Sequence, residues 1–247
     1  DAVNLTAEQQ TLLASIPDPM FRQTTRDFCV NQQFRKDYWV KGCRTLTALE
    51  QVEALRGQRI LLAQPRADVG LKVTGSLGEA TLQEAVYGPI LDQLADHKPK
   101  TLGQLEQALK ATPSTQSLSF AQILQAAMVL SATGAVQAVQ DDAVVQIAKK
   151  RTDRLNVYLM TKARSSNELS YLASPVTGGG VTVPRFQQLF LLAKQQGHKH
   201  PQDWANFVWN ILALQNQRLV KDGKTLETVE ENLAELTAQA SEFAEKQ

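Results

Sequence analysis

"KPKTLGQLEQALKATPSTQSLSFAQILQAAMVLSATG", residues 98–134, holds two helical patterns in a row. Thr101 stands as the cap of the first, and Gly134 ends the second. Just upstream, after Gly88-Pro89, Pro89 is placed to open "PILDQLADH" as a further helix. Just downstream, "AVQAVQ" alternates as a strand does. Three helices followed by a strand is the order of a winged-helix module.

Before this stretch the pattern is mixed. Leu5, Leu12, Leu13 and Ile16 share one helical face, and "PDP" then breaks the chain. Asp18 as N-cap and Pro19 at the first position open a helix to about Asn31, with Met20, Phe21, Thr24 and Phe28 as its expected buried stripe. "DYWVK" is expected as a strand, since aromatic and β-branched side chains suit a pleated surface. Thr45 is expected to cap a helix that Gly57 ends, and "RILLAQ" and "LKVT" read as strands with turns at Gly70 and "GSLG". "ATLQEAVY" fits helix or strand.

Beyond it the chain is mostly helical, at about 150–164, 184–196, 203–218 and 226–245. "SYLASPVTGGGVTV" and "RLVKDGKTL" interrupt as hairpins, the second with Asp222-Gly223 as a tight turn. The expected fold is α+β and predominantly helical. It comprises an α+β domain at 1–87, a winged-helix-like module at 88–145, and a helical, winged-helix-like module at 146–247.

Composition narrows the function classes. The chain of 247 residues is 43% hydrophobic and 21% charged, as soluble globular domains are. A net charge of +1 gives no global pull toward nucleic acid or anionic membranes. No apolar run reaches membrane-spanning length and no signal peptide opens the chain. A cytoplasmic protein with Cys29 and Cys43 as reduced thiols is the expectation. The opening "DAVNLTAEQQ" lacks a methionine and resembles a processed or excised start.

The sequence carries little catalytic chemistry. His198 and His200 in "HKHP" have no acidic or cysteine partner nearby in sequence, and His97 stands alone, so no metal site is expected. "TGGGV" at 177–181 lacks the lysine and helix of a P-loop and reads as a hairpin tip. No nucleophile elbow occurs. "DD" at 141–142 and "EE" at 230–231 fit helix caps and helix surface. The helix that a DNA-binding winged helix would insert in the major groove, "SFAQILQAAMVLSA", contains no charged residue.

Residues 22–35, "RQTTRDFCVNQQFR", resemble the predicted methyltransferase regulatory domain, whose pattern is about R-Q-x-x-x-D-F-x-x-N-x-x-F-R. Arg22, Gln23, Asp27, Phe28, Asn31, Phe34 and Arg35 match it. The resemblance implies a bacterial S-adenosylmethionine-dependent methyltransferase, of the protein-lysine type among others, in which this domain follows the catalytic domain. The glycine-rich cofactor loop of such a domain is absent, so no cofactor is expected in this chain; S-adenosylmethionine belongs to the missing catalytic domain.

The expected function is then a non-catalytic regulatory or substrate-docking region. Its expected partners are a cofactor-binding catalytic domain in cis or in trans and a protein substrate, with no nucleic acid or membrane; an oligomer is compatible. In the motif, Phe28 and Phe34 are expected to lock the helix to the following sheet, with Arg22, Asp27 and Arg35 as polar fasteners. A winged-helix nucleic-acid-binding regulator is the alternative, and an unrecognised hydrolase a third.

Overall fold

The computed structural model describes residues 3–35, 37, 39–42 and 44–246. With 53% of residues in helix against 12% in strand, the chain is α+β and mainly helical. It divides into two compact units, Asp1–Ala138 and Val139–Gln247.

In the first unit, α1 (Ala7–Ser15), α2 (Pro19–Cys29) and α3 (Ala48–Arg56) precede β1 (Arg59–Leu62). A hairpin of β2 (Lys72–Gly75) and β3 (Gly78–Thr81) leads to α4 (Glu84–Leu94). β4 (Lys100–Thr101), α5 (Leu102–Lys110), α6 (Phe120–Ala132) and β5 (Val136–Ala138) complete it. β1 lies between β4 and β5, antiparallel to both, with Ile60 opposite Lys100 on one side and Ala138 on the other.

Capping boxes start both helices of the 98–134 stretch. Thr101 Oγ1 accepts from the Gln104 amide at 3.0 Å, and Gln104 Oε1 accepts from the Thr101 amide at 2.8 Å. Ser119 and Gln122 repeat the arrangement, satisfying donors that a helix start leaves unpaired. Ile90, Leu91, Leu105 and Ile123 are wholly buried beneath the sheet residues Ile60 and Leu62. Each such side chain contributes about 1.5–3 kcal/mol. This core draws on both sides of position 87, and the 87/88 boundary of the sequence pattern falls inside α4.

Some sequence expectations moved. Pro89 lies inside α4 and does not open it, because Tyr87 on the earlier turn is buried in the same core as Ile90 and Leu94. The cap of α3 is Thr47, not Thr45: Glu50, three residues on, closes a capping box with Thr47. The expected strand at 37–41 includes Tyr38, which lies outside the described residues, as do Lys36 and Cys43; Asp37, Trp39, Val40 and Lys41 carry no strand.

In the second unit, α7 (Asp142–Lys162) starts earlier than its pattern indicated. β6 (Tyr171–Ser174) and β7 (Gly179–Thr182) form the expected hairpin around the triple glycine. α8 (Arg185–Gln195) and α9 (Pro201–Leu214) follow, then the short β8 (Val220–Lys221) and β9 (Lys224–Thr225), then α10 (Val229–Glu245). Asp222 and Gly223, both at positive φ (50° and 77°), make the tight turn between β8 and β9.

Phe190, Trp204, Val208, Leu212 and Leu236 form the core of this unit. Buried polar side chains bind its loops to its helices. Asn232 accepts from the Leu219 amide at 2.8 Å and donates to the carbonyls of Leu226 and Thr228 at 2.8 and 2.7 Å. Gln188 donates to the carbonyls of Leu169 and Val183 at 2.7 and 2.8 Å. Asn156 both donates to and accepts from the backbone of Ala173, fixing α7 against β6.

Candidate functional site

The segment 18–40 places its polar residues in a fold-back and its apolar ones in solvent. Asp18 caps α2 by accepting from the Phe21 amide at 2.6 Å, with Pro19 at the first position as the sequence indicates. Arg22 turns back and donates to the carbonyls of Ile16 at 2.9 Å and Pro17 at 3.2 Å, so it pins the α1–α2 turn. Leu5, Leu13 and Ile16, with Cys29 and Val30, form a small core under this pair of helices.

The far end of α2 explains the spacing of the motif. Asn31 adopts the left-handed conformation, φ 51°, which Asn tolerates better than most residues. The Asn31 amide then donates to the Phe28 carbonyl at 3.2 Å and the Gln32 amide to the Asp27 carbonyl at 2.9 Å. This is a Schellman ending, and it reverses the chain. The reversal brings Arg35 back onto the helix end. Arg35 donates from Nη1 to Asp27 Oδ2 at 3.0 Å and from Nε to Asp37 Oδ1 at 2.7 Å. The two carboxylates hold the Arg35 proton more firmly than usual, Asp37 more than Asp27.

Asp27, Phe28, Asn31 and Arg35 thus line one shallow groove of about 230 Å³, together with Thr24 and Gln32. Gln23 is exposed on α2 and Phe34 lies outside the groove lining. Thr24 and Gln32 were missed as site residues, although Thr24, Asp27, Phe28 and Asn31 have the i, i+3, i+4, i+7 spacing of one helix face. Asp37 was missed as the second carboxylate on Arg35.

The phenylalanines overturn their expected role. Phe28 is 83% exposed and Phe34 86%, so neither locks the helix to a sheet. Trp39 is 85% exposed, Val40 is exposed beside it, and Met20 and Phe21 of the expected buried stripe each expose 61%. These large apolar side chains thus stand in solvent around the fold-back. Acid–base chemistry has little support here, because Arg35 occupies both neighbouring carboxylates. Elsewhere, His200 caps α9 and His198 packs on Phe207 with ring centroids 5.7 Å apart. No cluster of three metal-ligating side chains occurs among the described residues. No helix among them is long and apolar enough to cross a membrane. α6 turns Ile123, Ala126, Ala127 and Leu130 into the core.

The chain is thus α+β, with a polar fold-back beside exposed apolar side chains. Its residues 1–41 match the family model described as "Predicted methyltransferase regulatory domain". The chain is also 39% identical over 243 residues to "Uncharacterized protein sll1526" of Synechocystis sp.. That match takes in 98% of this chain and 46% of the relative, so the chain spans about half the relative's length. No solved structure matches it.

Proposed function

We propose that this chain is the regulatory, non-catalytic region of an S-adenosylmethionine-dependent methyltransferase, and that α2 with its return loop docks on the catalytic domain. The regulatory role rests on the family match over residues 1–41. The docking face rests on one observation: Phe28, Phe34 and Trp39, all within that segment, are more than four-fifths exposed. Burying three such aromatics supplies the apolar centre of an interface, and the Asp27–Arg35 groove beside them supplies a polar rim.

The sheets here are antiparallel and of two or three strands. A Rossmann-like domain seats its cofactor at the carboxyl ends of a parallel sheet. We read S-adenosylmethionine as the ligand of the catalytic partner, as the motif resemblance implies. The helices α4–α6 over the β4–β1–β5 sheet are read as a winged-helix-like module that packs against protein, given the charge-free α6. A protein lysine as methyl acceptor follows from the motif resemblance alone.

The test is affinity between this chain and the cofactor-binding domain encoded with it or beside it. Binding is expected, with a loss of at least about tenfold on replacing both Phe28 and Trp39 by serine. No binding by the unaltered chain overturns the docking role. Micromolar binding of S-adenosylmethionine by this chain alone overturns the non-catalytic reading.

A further inference from the structure

The face of α7 opposite its core contacts combines exposed apolar side chains with cations. At 100° per residue, Val144, Ile147, Arg151, Arg154, Leu155, Tyr158 and Lys162 fall within about 100° of the helix circumference. All seven are exposed, with Ile147 at 79%. Apart from the adjacent Arg154 and Leu155, successive positions are three or four residues apart, the pattern of a seam that receives a second helix.

The charges on this face are of one sign. Arg151, Arg154 and Lys162 lie in the seam and Lys150 flanks it, whereas the two acids of α7, Asp142 and Asp153, point to the other side. Among the described residues none of these four cations pairs with a carboxylate. Lys162 lies over the Tyr158 ring, 5.6 Å from its centroid. Several cations elsewhere are matched: Arg56 with Glu106, Arg66 with Asp92, Lys100 with Asp96 and Lys221 with Glu235.

We propose that this face of α7 is a docking seam for an acidic amphipathic helix of a partner protein. The apolar residues at 144, 147, 155 and 158 would contact the partner's apolar stripe. Arg151, set inside that stripe, and Arg154 at its edge require carboxylates opposite them and so fix register. A lipid surface fits less well, because it would bury the Arg151 guanidinium among acyl chains. Nucleic acid fits less well, because phosphates give Val144, Ile147 and Leu155 nothing to contact.

The whole 247-residue chain is titrated, by fluorescence anisotropy, into a labelled helix-forming peptide with leucines at 3–4 spacing and flanking glutamates. The peptide with every glutamate changed to lysine, anionic phosphatidylserine vesicles and duplex DNA are run in parallel. Expected is binding of the glutamate peptide on the order of 10 µM, weakening as salt rises. R151E with R154E should lower it at least about tenfold and transfer binding to the lysine peptide. Ile147→Asp should also lower it, with helix content unchanged by circular dichroism. The proposal is overturned if neither peptide binds below about 500 µM. Equal binding of both peptides, or tighter binding to vesicles or DNA than to the glutamate peptide, overturns it too.

Discussion

Arg35 and Asp27, eight residues apart, meet at 3.0 Å because the left-handed Asn31 between them reverses the chain. Both side chains are partly exposed, and Arg35 has a second carboxylate, Asp37, at 2.7 Å. Exposed pairs of this kind add little to stability. Asp27→Ala should therefore shift Tm by no more than about 2 °C while loosening the return loop. Faster amide hydrogen exchange at residues 32–35 with an unchanged Tm is the expected signature. A fall of more than about 5 °C would make the pair a structural tie instead.

Asn31 is tested through its backbone. Glycine takes positive φ without a steric penalty and β-branched residues do not. Asn31→Gly should leave stability equal or slightly higher. Asn31→Val should cost about 1–2 kcal/mol in a urea titration, since the Schellman bonds depend on that conformation. Equal stability of the two variants would remove the motif's asparagine from the turn.

Glu106 carries the pH dependence of the first unit. It is buried and accepts from Lys110 Nζ at 2.6 Å and Arg56 Nε at 2.9 Å, joining α5 to the end of α3. Lys110 first and Arg56 second hold its carboxyl below the ordinary glutamate range. A depressed acid stabilises the fold fully above its unfolded-state pKa, about 4.3, and loses that contribution as pH falls through the folded value. Glu106→Gln should cost about 1–2 kcal/mol at neutral pH, reduced from the fully buried case because both cations reach solvent. The gap between variant and parent should stay level from about pH 5.5 to 8 and close below about pH 4. A gap independent of pH would show that packing, not charge, is what Glu106 supplies.

Gly75 is a close-approach glycine. A Cβ there would lie 2.3 Å from the Val3 carbonyl oxygen. Two bonds depend on that approach: the Leu77 amide donates to Val3 O at 2.9 Å and the Ser76 amide to Asn4 Oδ1 at 3.0 Å. Gly75→Ala should release residues 3–5 from the β2–β3 hairpin and uncover Leu5, which is 2% exposed. Limited proteolysis should cut the first helix faster while the transition of the 60–136 core stays in place. An unchanged cleavage rate would sink this account.

The helices and hairpins were legible where the local chemistry is self-sufficient. Thr101, Asp18, Gly134 and Asp222-Gly223 each act over three or four residues, and each stands where the sequence puts it. The site was half legible. The spacing of Asp27, Asn31 and Arg35 was visible in the sequence, but the reversal that gives it meaning depends on the φ of Asn31. Phe28 was misplaced for a different reason. Periodicity identifies an apolar face but not whether that face meets the chain's own core, and Phe28 is 83% exposed. Pro89 was misplaced because burial of Tyr87, Ile90 and Leu94 outweighs a local rule that reads Pro as a start.

That burial sets the order in which the first unit can assemble. Gly88 and Pro89 inside α4 together disfavour the helix by about 4 kcal/mol relative to alanines, so its own sequence would not hold it in water. α5 and α6 are each opened by a capping box and free of internal proline, so they carry no such penalty. α4 therefore depends for its helical form on the surface that α5, α6 and β1 present. Of the surfaces that bury the helix at 84–94, β1 precedes it in the chain, whereas α5 and α6 are complete only once residues up to about 132 have been made.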